Sequence, residues 1–159
     1  MNSTSIGHRQ RGMALLVSLV FLLLLTLIGL SSMQSATLQE KMTSSVMLRN
    51  QSFQVAEAVL RVGESAVQAE AYSLPVCTTA TQCAPPAESA TRTTAGRDSL
   101  SGVTWIAAPG GFYGVQNLGT TLTAVNVPIN TSATLYRITA VAVAGNNQRS
   151  VVESIYAKY

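Results

Sequence analysis

A chain of 159 residues has room for one modest domain and an anchor, and is too short for two ordinary domains. Charged residues make up only 11 % of it and mean hydropathy is positive. The formal net charge of +3 leans on Arg9 and Arg11; without them eight basic side chains stand against seven acidic ones, a balance that gives no reason to expect nucleic acid as a partner.

The chain opens with a short polar leader, residues 1–12, that holds His8, Arg9 and Arg11 and ends on Gly12. An apolar run then extends from Met13 to Leu30 with no charge and no proline. At roughly 18 residues it reaches the lower limit for a membrane-spanning helix, whereas the core of a secretory signal is about 7–15 residues long. Basic residues stay on the cytoplasmic side, so the leader is expected there and everything after Leu30 outside. Ser35-Ala36-Thr37 is a weak A-x-A-like match, and a signal-peptidase cut at that point stays open on the residues alone.

The helix is expected to continue. Between Ala36 and Ala71 there is no proline and Gly63 is the single glycine. Leu38, Met42, Val46, Phe53, Leu60 and Val67 form an apolar stripe, and the last four recur every seventh residue. Val46, Phe53, Leu60 and Val67 are therefore the residues expected to hold a folded head against the helix. Glu57 and Arg61 lie one turn apart with the acid first, which supports the helix. Pro75 stops it, giving an end near Tyr72. Residues 13–34 form the membrane segment in this reading, 35–74 an amphipathic continuation, and 75–159 the head.

Pro75 to Gly102 is rich in Thr, Ala, Pro and Ser and reads as a loop. It contains Cys77 and Cys83, which an exported compartment allows to pair, closing a short loop worth about 2 kcal/mol. Strands are expected at Val103–Ala107, Phe112–Val115, Leu122–Val127, Thr134–Ala144 and Gln148–Tyr156. Turns are expected at Pro109-Gly110-Gly111, Asn117-Leu118-Gly119 and Gly145-Asn146-Asn147. The sum is an α+β chain: a long N-terminal helix on a small antiparallel sheet of three to five strands.

Groups for catalysis are scarce. The sole histidine is His8, and Asp98 is the sole aspartate. A Ser/His/Asp arrangement outside the leader is impossible, and no calcium loop, zinc ligand set or phosphate-binding loop is legible. No enzyme, cofactor or metal is expected.

Three stretches carry a family resemblance: Arg11-Gly12-Met13-Ala14-Leu15-Leu16-Val17, then Thr26-Leu27-Ile28-Gly29 with Gln39-Glu40-Lys41-Met42, then Phe53 to Arg61. Tyr136-Arg137-Ile138 and Val151 to Tyr156 add to it. The chain resembles type IV pilin-like proteins, and the PilX-type minor pilins in particular; Met42-Thr43-Ser44-Ser45 departs from the family's usual Met-Ala-Gly-Asn. The resemblance implies a pilin-like fold and a prepilin peptidase that cuts between Gly12 and Met13 and methylates Met13. It implies other minor pilins and the major pilin as partners, and inner-membrane lipid before assembly. The destination it implies is the pilus tip and cell surface, in pili that serve twitching motility and cell adhesion. Major pilins carry Glu at the fifth mature position, and Val17 stands there. An unpaired carboxylate among apolar helices costs several kcal/mol, so its loss suits a subunit with nothing ahead of it, as in the similar K-type pseudopilins. The expected function is a structural part in the priming and tip complex. The competing readings are a tip adhesin with Thr78–Thr94 as contact loop, a type II secretion pseudopilin, and a plain membrane-anchored protein with Val17 as one more lipid-facing residue.

Overall fold

The computed structural model describes residues 10–145 and 147–159, with side chains from Gly12 onward. The expectations for His8, Arg9, the Arg11 side chain and Asn146 lie outside the described residues. The chain divides into two compact units, the first ending at Ser45 and the second comprising Val46–Tyr159. One helix, α1 (Gln10–Gln68), contributes to both.

In the first unit α1 is the whole structure. It is long and apolar enough to cross a membrane. Leucine-rich sequence favours helix, and with no proline every backbone N–H after the first turn has a carbonyl one turn back to bond. Gly29 interrupts nothing, because one glycine inside a long apolar helix costs only about 1 kcal/mol.

In the second unit the last part of α1 lies on a five-stranded sheet with strand order β1-β2-β3-β4-β5. The strands are β1 (Gly96–Arg97), β2 (Thr104–Ala108), β3 (Gly111–Thr121), β4 (Ala133–Ala144) and β5 (Gln148–Lys158). All neighbours are antiparallel, so the sheet is a meander in which each strand pairs with the next along the chain. Alternation of side chains gives the sheet two faces. Tyr113, Val115, Tyr136, Ile138 and Ala140 point at α1 and form the main core with Val59, Leu60 and Val67. Val103, Trp105 and Val141, with Phe112 packed on them, form a second cluster on the opposite face.

Several expectations need correction. The segment Leu122–Val127 is not a strand. It belongs to a loop in which Asn126 and Asn130 take positive φ (62° and 63°) and Pro128 offers no N–H to a ladder. Asn117-Leu118-Gly119 is not a turn. β3 runs through it, with a register shift between Asn117 and Gly119. A bulge and a turn share one sequence signature, a polar residue followed by a glycine at positive φ, and here Gly119 has φ 98°. The segment Pro75–Gly102 is not all loop. It contains α2 (Ala80–Cys83), a 3-10 turn at Ala87–Ala90 and β1. Thr79 caps α2 by accepting the Gln82 N–H at 3.2 Å.

Helix α1 also ends four residues before the expected Tyr72. The carbonyls of the turn just past its end are bonded by a side chain from β5: Lys158 Nζ donates to Ala69 O at 2.6 Å and to Tyr72 O at 3.2 Å. A cation at a helix C-terminus meets both the free carbonyls and the negative end of the dipole. The helix thus ends seven residues before Pro75.

Candidate functional site

The first candidate region is the apolar helix of the first unit. Gly12 and Met13 lie in the opening turns of α1, with Val17 one turn further on. Every side chain from Met13 to Leu30 is exposed. Burial of one large apolar side chain is worth about 1.5–3 kcal/mol, so this surface demands lipid or other apolar helices. Polarity within the run is limited to Ser18 and Thr26, and neither hydroxyl is left unpaired. Ser18 Oγ donates to Leu15 O at 2.9 Å and Thr26 Oγ1 to Leu23 O at 2.8 Å. The helix satisfies its own polar groups, as hydrocarbon surroundings require.

The second region is the face that holds α1 to the head. Leu60 and Val67 are buried, but Val46 and Phe53 are 57 % and 48 % exposed and do not hold the head. An α-helix drifts about 20° per heptad against a strict seven-residue repeat. A line drawn through residues 46, 53, 60 and 67 therefore rotates off the sheet toward its N-terminal end. Small residues run along the true contact line. Ser52 and Ala56 are fully buried. A Cβ on Gly63 would come within 2.7 Å of Ile138 Cγ2. Polar ties flank this line: Ser52 and Ser150 hydroxyls meet at 2.6 Å, and Ser154 Oγ donates to Glu64 Oε1 at 2.7 Å. Sequence reading missed these residues because a stripe search looks for large apolar side chains, and close approach uses small ones.

At the end of α1, Tyr72 packs edge-on against Tyr136 with ring centroids 5.6 Å apart. Burial pushes the Tyr72 hydroxyl above its ordinary pKa, and Tyr113 and Tyr136 add to the shift.

The third region is the cysteine segment. Cys77 and Cys83 form a disulfide with Cα atoms 5.3 Å apart. The loop it closes is fastened to β3 and β4. Cys77 N–H donates to Asn117 O at 2.9 Å, and Asn117 Nδ2 to Leu74 O at 2.7 Å. Gln116 Nε2 donates to Ala84 O at 2.9 Å, and Arg137 Nη1 to Cys83 O at 2.7 Å. Gln116 and Arg137 face each other across β3 and β4, so the carbonyls of the loop meet a preformed row of donors. The only legible hint was Gln116-Asn117 and Arg137 interrupting strands that are otherwise apolar.

Further along, Glu88 Oε1 accepts from Trp105 Nε1 at 3.2 Å and from the Ser101 hydroxyl. Arg149 Nη1 donates to Arg92 O at 2.7 Å. Thus Thr78–Thr94 lies over the second face of the sheet and is tied down at several points. Asp98 closes the next turn by accepting N–H bonds from Leu100 (2.8 Å) and Ser101 (3.1 Å). Those backbone donors hold its carboxyl below the usual carboxylate range, with Arg92 3.9 Å away as a lesser cause. A groove of about 560 Å³ opens between the disulfide loop and β2, with Leu74, Val76, Ile106 and Val115 among its walls. Among the described residues no three His, Cys, Asp or Glu side chains converge as a metal site.

A single N-terminal helix, apolar at its start and later packed on an antiparallel meander, is an α+β pilin-like architecture. Within that class, residues 11–61 match the PilX N-terminal family. The match covers less than half of the chain, and over that segment α1 is similar to the N-terminal helix of PilX-type type IV pilins. A role related to type IV pili, contact with other pilus components and a membrane-anchored helix go with that family. No curated protein and no solved structure matches the chain.

Proposed function

We propose that this chain is a structural, non-enzymatic minor pilin of the complex that primes type IV pilus assembly and is carried at or near the pilus tip. Residues 1–12 are the leader, cut by prepilin peptidase between Gly12 and Met13, with Met13 then methylated. Residues 13–34 are the membrane and filament-core helix, 35–74 its amphipathic continuation, and 75–159 the head. The head stands in the periplasm until the helix leaves the inner membrane to pack among those of other minor pilins and the major pilin.

One observation carries this reading. The apolar helix has Val17 where pilins of the main filament carry a carboxylate, and its two hydroxyls are already paired within the helix. Such a helix needs no partner charge ahead of it. Gly12 adds support as the residue that closes the polar leader just before the apolar run.

The test is mass spectrometry of the mature chain in peptidase-competent cells. A chain that begins with N-methyl-Met13 is the expected result; one that keeps residues 1–12 overturns the reading. Deletion is expected to abolish or sharply reduce pili, whereas normal pili with lost attachment would point to an adhesin. Val17→Glu is expected to lower recovery of the chain with its partner minor pilins, because the new carboxylate has no counter-charge. Unchanged recovery and unchanged piliation would count against the tip position.

A further inference from the structure

The loop between β3 and β4, Leu122 to Ser132, holds three of the most exposed apolar side chains of the head. Leu122 is 62 % exposed, Val125 84 % and Ile129 91 %. Single exposed apolar residues are ordinary, but three on one eleven-residue loop together expose on the order of a few hundred Å² of apolar surface, the scale at which a contact site is indicated.

The loop has its own framework. Thr121 and Thr123 hydroxyls meet at 3.0 Å, Thr123 N–H donates to Thr121 Oγ1 at 3.2 Å, and Thr131 N–H donates to Pro128 O at 3.1 Å. Asn126 and Asn130 take the left-handed conformation that sharp corners need. A partner that binds so braced a loop pays little of the usual ordering entropy.

Its place in the head narrows the occupant. The turns after β2 and β4 lie beside the early part of α1 in this unit, Gly110 against Val55 and Gly145 against Leu48. The β3–β4 loop lies at the other end, where Thr134 pairs with Lys158 and Lys158 reaches Ala69 and Tyr72. The chain enters this unit at Val46, so the loop stands at the end of the unit remote from that entry, and the early part of α1 in this unit is not what covers it. Composition narrows it further. From Leu122 to Ser132 there is no Lys or Arg to attract an anionic surface and no Trp or Tyr of the kind that settles at a lipid interface. What remains complementary to an uncharged, braced, apolar loop is an uncharged apolar pocket on another protein.

We propose that the β3–β4 loop is a docking plug, seated in an uncharged apolar pocket on the head of another exported subunit of the same assembly. The proposal rests on the assembly reading above and adds to it the surface through which heads join. Contact between heads makes no demand on residue 17, which acts among helices.

The test uses the full-length chain in cells that assemble pili, with a benzophenone amino acid at Val125. The expected result is one dominant adduct to an exported subunit, mapped by peptide mass spectrometry to a pocket without charged side chains. With the photoprobe moved to Leu122, Ile129→Asp is expected to lower the adduct about tenfold or more, since a buried unpaired carboxylate replaces an apolar contact. The side chain is exposed, so an unchanged melting temperature is the accompanying expectation. Adducts to lipid alone, adducts to a second copy of this chain, or a yield no higher than from a probe at exposed Thr93 would overturn the proposal. The two claims fail separately. A chain still bearing residues 1–12 overturns the assembly reading whatever the loop touches, and a processed chain without the adduct overturns the docking alone.

Discussion

At the scale of single residues, Gly63 marks a close approach of α1 to the sheet. Two effects oppose each other in Gly63→Ala. Alanine gains up to about 1 kcal/mol of helix propensity. Against that, its Cβ meets Ile138 Cγ2 at 2.7 Å and Tyr113 Cδ2 at 3.0 Å, and overpacking of this kind costs about 1–3 kcal/mol. Packing is expected to win, with a lower melting temperature for Gly63→Ala and a further drop for Gly63→Val. A melting temperature for the alanine variant at or above that of the parent would show that Ile138 gives way freely. Asp98 offers a second test. Its folded pKa is held down, so the stability it confers is fully present above the ordinary value of 3.8 and is lost as pH falls through the lower folded value. An NMR titration is expected to place its midpoint below 3.8, and Asp98→Asn is expected to remove that acid-side step in stability. A midpoint at or above the ordinary value would mean that the Leu100 and Ser101 N–H groups do not bond the carboxylate in solution.

At the scale of elements, the disulfide loop and the β3–β4 pair act on each other. Cys77→Ser with Cys83→Ser is expected to destabilise the head by about 2 kcal/mol through the freed loop. Arg137→Met leaves the Cys83 carbonyl without its donor and is expected to cost about 1–3 kcal/mol. Since the guanidinium holds what the disulfide closes, the combined variant is expected to lose less than the two effects added, by at least about 0.5 kcal/mol in a denaturation cycle. Strict additivity would mean the two restraints serve different parts of the fold. The same elements show what sequence reading reaches. β2, β4, β5 and the β4–β5 connection were legible because β-branched runs alternate around glycine and asparagine. The course of β3 was not, because Asn117-Leu118-Gly119 has the composition of a turn and only pairing with β4 makes it a bulge. The end of α1 was hidden for a similar reason. The turn that follows it is bonded by Lys158, ninety residues beyond Gln68, and no local pattern reports so distant a partner.

At the scale of the whole molecule, the two units differ in what they need from their surroundings. The first presents apolar side chains on every face, while the second buries two clusters of its own and pairs every buried polar side-chain atom among its described residues. The fragment Val46–Tyr159 is therefore expected to be soluble without detergent and to melt in one transition when oxidised, as gel filtration and calorimetry would show. Aggregation of the oxidised fragment would mean that the exposed Val46 and Phe53 need the rest of the chain or a partner to cover them. The candidate site divides along the same line. The roles proposed for Gly12, Met13 and Val17 rest on a local string of residues. The small-residue seam of Ser52, Ala56 and Gly63 was not legible in the sequence, since its meaning lies in the distance between helix and sheet.

The hydroxyls of Ser18 and Thr26 have one further consequence. Both are bonded to carbonyls three residues back along their own helix, so neither looks outward for a partner. When such a segment passes from fatty-acyl chains to a bundle of similar segments, no hydrogen bond is broken and none is made. The passage is polar-silent, and its energetics reduce to how well one greasy exterior fits its new neighbours compared with its old ones.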